Sequence, residues 1–137
     1  MQRICQIVGW LLLSVLLVSG GGMSILIITH NPFWTESPIR QQLIPMGHAH
    51  AGALGIVTLL FGLYLDKVNL SEQLRKWVAI VYITGVLLLP GGFILGVLKA
   101  GATEPGKEFM LVPLGGVLVG ISFITMFIGM LRTPKSP

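Results

Sequence analysis

Residues Ile44–Gly55 read IPMGHAHAGALG, two histidines among small and apolar residues at the head of a run with no charged side chain until Asp66. At about 1.5 Å of rise per helical residue, Pro45–Leu65 is long enough to cross roughly 30 Å of hydrocarbon. Imidazoles at membrane depth are costly and mark a cofactor, an ion or a proton path. The fold turns on whether the rest of the chain supplies companion spans.

Three more runs qualify. Ile4–Thr29 carries no charge over 26 residues, although Gly20-Gly21-Gly22 interrupts it. Arg3, the leucines and the small residues Ser19 and Gly20 loosely fit a signal peptide. The apolar run continues through Ile25-Leu26-Ile27-Ile28, past any cut there, so it is expected to be a retained span. Trp77–Leu98 and Phe109–Leu131 complete the set, joined by the short turn Lys99–Glu108. In the second span Pro45 suits a first helical turn. Ahead of it, the connection Asn31–Leu43 holds helix-breaking Pro32 and Pro38, with Phe33-Trp34 as an interfacial anchor or lid. The expected fold is all-α: an integral membrane four-helix bundle over residues 1–137, with spans of about 4–29, 45–65, 77–98 and 109–131.

Composition agrees, since 53% hydrophobic and 10% charged residues exclude an ordinary soluble globule. Nine Lys/Arg against five Asp/Glu sit in loops and tails, so no basic face exists for nucleic acid. Cys5 is the single cysteine, which excludes an intrachain disulfide and covalent haem attachment. With every carboxylate expected in a loop, there is no carboxylate dyad, serine–histidine pair or phosphate loop for classical hydrolysis.

Four spans put both termini on one side. Arg3, Lys67, Arg75, Lys76, Arg132 and Lys135 fall on that side, against Arg40, Lys99 and Lys107 on the other. The positive-inside rule then predicts cytoplasmic termini in the inner (cytoplasmic) membrane. His30, His48 and His50 share the outer third. Counted from the outer ends, Gly20–Gly22, Gly52 with Gly55, Pro90-Gly91-Gly92, and Pro113 with Gly115 and Gly116 fall at nearly one level. Small residues there suit close approach of a flat macrocycle. They equally suit helix packing, through Gly47-xxx-Ala51-xxx-Gly55, Gly92-xxx-Gly96 and Gly116-xxx-Gly120.

Residues two apart on a helix point about 200° apart, so His48 and His50 cannot share one metal from a regular helix. His50, deeper and followed by Ala51-Gly52, is expected to face the bundle or a subunit interface and to ligate haem iron. His48 is expected at the rim, near a propionate, water or a second site. The cofactor shell is then His50, His48, Gly52, Gly55, Gly91 and Gly92.

The HAHAGALG run, opening the second of four spans, resembles the histidine segment of the styrene oxide isomerase family, small four-helix haem b membrane enzymes that assemble as trimers. In that family the segment reads AHSGPAL, its histidine is the axial iron ligand, and haem lies between subunits. The resemblance implies haem b, His50 as axial ligand, Gly52 at the small position two residues on, and a homo-oligomer, a trimer by this likeness. The sequence match covers about ten residues and the helical layout covers the chain. Where that family has an asparagine after the ligand and a tyrosine in the third helix, this chain has Gly55-Ile56 and Phe93-Ile94, so the catalytic set is not reproduced. Tyr82 lies on the third span but towards its cytoplasmic end.

Three functional classes follow. One is an enzyme such as an epoxide isomerase, with ferric iron as Lewis acid towards a small apolar molecule entering from membrane lipid. A second is an electron-transfer, sensing or haem-carrying module, with His30 or a neighbour's His48 closing the iron. The third is a copper site of Met46 and His50 with His48 or Met23.

Overall fold

The computed structural model describes residues 1–98 and 103–132 and is all-α. Its helices are α1 (Gln2–Ile28), the single turn α2 (Pro32–Thr35), α3 (Pro38–Tyr64), α4 (Glu72–Leu95) and α5 (Leu111–Leu131), with a 3₁₀ turn, Lys107–Met110, leading into α5. Four segments, of 27, 27, 24 and 25 residues, are long and apolar enough to cross a bilayer. The chain is an integral membrane protein. Met1 and the end of α5 lie at one end of the array; the other is called the distal end below.

The helix starts differ from the sequence expectation wherever a cap overrides hydropathy. Helix α3 begins at Pro38, because Ser37 accepts a hydrogen bond from the Arg40 amide at 3.4 Å and Pro38 sits at the first helical position. Pro45, expected in the first turn, therefore lies inside the helix. Helix α4 likewise begins at Glu72, expected in a loop, with Ser71 capping the Leu74 amide at 3.3 Å. Its end comes earlier than expected, at Leu95, where the Gly106 amide donates to the Gly96 carbonyl at 2.7 Å. Gly101 of the expected turn and the charges Lys99 and Lys135 lie outside the described residues.

Helix α1 stops in a Schellman arrangement. The His30 amide donates to the Ile27 carbonyl and the Asn31 amide to the Leu26 carbonyl, at 3.2 and 3.1 Å. This places His30 at φ 49°, the left-handed region where glycine is usual. His30→Gly should hold or raise the thermal midpoint, and His30→Val should cost about 1–2 kcal/mol because a β-branched residue is strained there. Circular-dichroism melts of the three proteins in one detergent check this ordering.

The helices pack in series. Helix α1 lies on α3, α3 on α4 and α4 on α5, with a slight α1–α4 contact; among the described residues α5 makes no close backbone approach to α1 or α3. Towards the end with the termini, Leu12, Phe61, Tyr82, Val86, Val119 and Met126 share one core. The Tyr82 hydroxyl donates to Thr58 Oγ1 at 3.2 Å, since the threonine proton is taken by the Leu54 carbonyl at 2.6 Å. Tyr82 also stacks on Phe61 with centroids 3.9 Å apart. It is a core residue, remote from both membrane histidines.

The distal end is held by Arg40, counted from sequence as a loop charge but only 5% exposed. Its Nε donates to the Val97 carbonyl at 3.0 Å, a terminal nitrogen donates to the Phe33 carbonyl at 3.1 Å, and the guanidinium lies 4.2 Å from the Phe33 ring centroid. One cation thus ties α2, α3 and the end of α4, with the half-buried Phe33 and Trp34 packed above. Arg40→Met leaves those carbonyls without a donor and should cost about 3 kcal/mol. Arg40→Lys should recover only part, because a single ammonium cannot reproduce the planar fork. Thermal unfolding of both variants checks it.

Candidate functional site

The buried stripe of α3 runs Leu43, Gly47, Ala51, Gly55, Thr58 and Phe61, a helical repeat that faces its neighbours. His48 follows Gly47 and His50 precedes Ala51, each about 100° off the stripe and on opposite flanks. Helix α1 covers the His48 flank, and the described residues leave the His50 flank largely uncovered. The tertiary arrangement places the half-buried His48 on the wall of a cavity open at its side, and leaves His50 exposed on the outside of the protomer, where of the two expected settings only a subunit interface remains for it.

The cavity, of about 530 Å³, lies between the distal halves of α1, α3 and α4. Val15, Ser19 and Met23 line it from α1, Gly47, His48 and Ala51 from α3, and Pro90, Gly91 and Ile94 from α4. It exists because α1 packs along α3, with Leu13 on Gly55 and Leu16 on Gly52, and meets α4 only slightly. His48 Nδ1 lies 3.0 Å from Ser19 Oγ, which in turn lies 3.1 Å from the Leu16 carbonyl. With the serine proton on that carbonyl, the serine oxygen accepts from Nδ1–H, and Nε2 keeps its lone pair. This tautomer is assigned from the serine's bond to the Leu16 carbonyl.

His50 is held differently. Its Nδ1 lies 2.8 Å from the Met46 carbonyl, which can only accept, so Nδ1 carries the proton and Nε2 of the neutral ring is bare. The ring stacks on Phe93, with centroids 5.1 Å apart at 30°, and Phe93 is braced edge-on by Phe109 at 5.6 Å. Both histidines thus have one nitrogen anchored and the other available.

The glycine level resolves into several environments. A Cβ on Gly52 would meet Leu16 at 3.0 Å, one on Gly55 would meet Leu13 at 3.1 Å, and one on Gly92 would meet the Val112 amide at 2.8 Å. These three are filled by neighbouring helices within the protomer. Gly91 faces the cavity with nothing within 4 Å, and Gly47 borders both the cavity and Phe93. Of the glycine pairs, Gly116 and Gly120 point away from the helix contacts: a Cβ on Gly116 would find only Leu89, at 4.0 Å, and one on Gly120 nothing within 4 Å.

The copper set is not assembled within the protomer, because Met46 and His50 are exposed on one flank while Met23 and His48 face the cavity on the other. Among the described residues no three His, Cys, Asp or Glu side chains converge. His30 serves the end of α1. Sequence reasoning missed Ser19, Phe93 and Arg40. Ser19 carried the one available signal, a hydroxyl residue on α1 at the depth of His48.

Fold and site together define a small helical membrane protein of four spans, with imidazoles on opposite flanks of its second span. A family model described as a domain of unknown function, DUF8059, matches residues 1–133, and the chain belongs to that family. No curated protein and no solved structure matches it.

Proposed function

We propose that the protein binds haem b through Nε2 of His50, and that it assembles as a homo-oligomer, a trimer by its resemblance to the isomerase family, in which a second subunit covers the haem. The observation that carries this reading is an exposed imidazole at membrane depth whose Nδ1–H is fixed on the Met46 carbonyl at 2.8 Å. Metal-ligating histidines characteristically hold their other ring nitrogen in this way, which sets the tautomer and aims the lone pair. Phe93 restrains ring rotation from one side. Left uncovered in lipid, such a group would be costly, and a macrocycle with a second subunit removes that cost. The residues present therefore fit an imidazole that would hold the haem iron, on a surface that one protomer cannot enclose.

When bound, haem would supply iron able to act as Lewis acid or redox centre. The chain's contribution is the orientation of His50 and an apolar, water-poor surround including Phe93 and Met46. No second imidazole of the same protomer reaches that flank: His48 faces the cavity and His30 ends α1. His50 alone would then hold the iron from this flank, which would suit a small neutral oxygen compound or a gas. It suits rapid electron transfer less well, where two strong axial ligands limit rearrangement. Phe93 brings no hydroxyl to the place where the isomerase family has its tyrosine, so epoxide isomerisation lacks a positioning group here. The charge distribution supports cytoplasmic termini in the inner membrane.

The first test is the absorption spectrum of protein purified in mild detergent, as isolated and reduced. A Soret band is expected, with an axial high-spin electron paramagnetic resonance signal in the oxidised state. A wholly low-spin bis-imidazole signal would replace the open-site reading with the electron-transfer or sensor module. Stoichiometric haem on a monomer in native mass spectrometry would remove the interface assignment.

A further inference from the structure

The cavity on the His48 flank is separate from the surface presented by His50, and its chemistry is unusually one-sided. Among its lining residues there is no Asp, Glu, Lys or Arg, so a charged head group would find no counter-ion. The polar feature is the His48–Ser19 pair, joined at 3.0 Å, with His48 Nε2 left as an acceptor. The rest is aliphatic side chain, Met23, and the bare backbone of Gly47 and Gly91. Leu11 and Val15 of α1 and Leu87 and Leu95 of α4 line the cavity yet stay exposed, so it opens sideways between these two membrane-spanning helices. At about 530 Å³ the cavity lies within the ordinary range for small-molecule sites, which pair an apolar lining with a few placed polar groups.

We infer that this cavity binds a neutral, lipid-soluble molecule carrying a hydroxyl group, which enters sideways from the bilayer and donates its proton to His48 Nε2. Apolar burial supplies the affinity and the single hydrogen bond fixes the orientation. Ser19 is a positioning residue: by accepting from Nδ1–H it leaves Nε2 as the acceptor, on the ring edge that lies over Gly20 of α1 beside the cavity.

The test uses full-length protein in phosphatidylcholine vesicles and a long-chain alcohol bearing a photoreactive diazirine on its chain. Labelling should concentrate on peptides containing Val15 and Leu87 and be displaced by excess 1-dodecanol but not by dodecane. Gly91→Leu fills the cavity where a Cβ meets nothing within 4 Å, so helix content should be kept while labelling falls about tenfold or more. His48→Leu should lower it about tenfold, and His48→Gln, which retains an acceptor, should restore most of it. Labelling spread evenly over α5, equal displacement by dodecane, or no effect of Gly91→Leu would each overturn the site. So would protection of the slot by a second copy, seen as rapid Leu87→Cys disulfide cross-linking without labelling. Haem absorbance of the same samples reports on His50 separately, so loss of alcohol labelling with the Soret band kept overturns the cavity site and leaves the His50 reading standing.

Discussion

In His50→Ala protein the Soret absorbance per chain is expected to collapse, while His48→Ala keeps most of it. Loss of an outer-shell partner of a metal-binding histidine costs roughly 10–100-fold in affinity, and removing the ligand itself should cost more. The asymmetry between the two variants follows from geometry. His50 presents its bare Nε2 outward, whereas His48 lies across α3 in a cavity shared with Ser19. Added imidazole should restore part of the band in His50→Ala by occupying the vacated place, as a merely structural role would not allow. Full haem retention in His50→Ala would refute the assignment. Loss in His48→Ala alone would move the macrocycle into the cavity and displace the alcohol site from it.

A leucine at position 115 is expected to be the most damaging single apolar substitution in the bundle. A Cβ on Gly115 would stand 2.6 Å from the Leu89 amide nitrogen and 2.8 Å from the Gly85 carbonyl, and one on Gly85 would stand 2.8 Å from the Gly115 carbonyl. These obstacles are backbone, which cannot rotate away. The α4–α5 contact must open, at about 3 kcal/mol or more. Gly116→Leu, one residue on, should be nearly neutral, since a Cβ there meets only Leu89 at 4.0 Å. Detergent-resistant thermal unfolding of the pair measures the difference. Equal midpoints would mean that α4 and α5 do not meet through Gly85 and Gly115.

Hydropathy alone placed the four spans near their observed positions, because a bilayer demands helices of sufficient length with their backbone bonds satisfied internally. Where boundaries moved, a local cap was responsible: Ser37 with Pro38, and Ser71, start helices before the apolar run does. The opposite directions of His48 and His50 were also legible, since the helical repeat dictates them. Which direction led inward was not. The spans are apolar on almost every side, so the sequence carries little of the amphipathic contrast that marks a core face in a soluble helix. The same limit hid the separation of Gly115, wedged against α4, from Gly116, which is nearly free. It also hid Arg40, whose charge read as a loop residue although two backbone carbonyls and an aromatic ring hold it buried. Covalent sequence determined the spans, the histidines and their angle. The packing of α1 on one flank of α3 decided that His48 lines a cavity and His50 faces outward, because burial is conferred by the neighbouring helix rather than by the residue's own position in its helix.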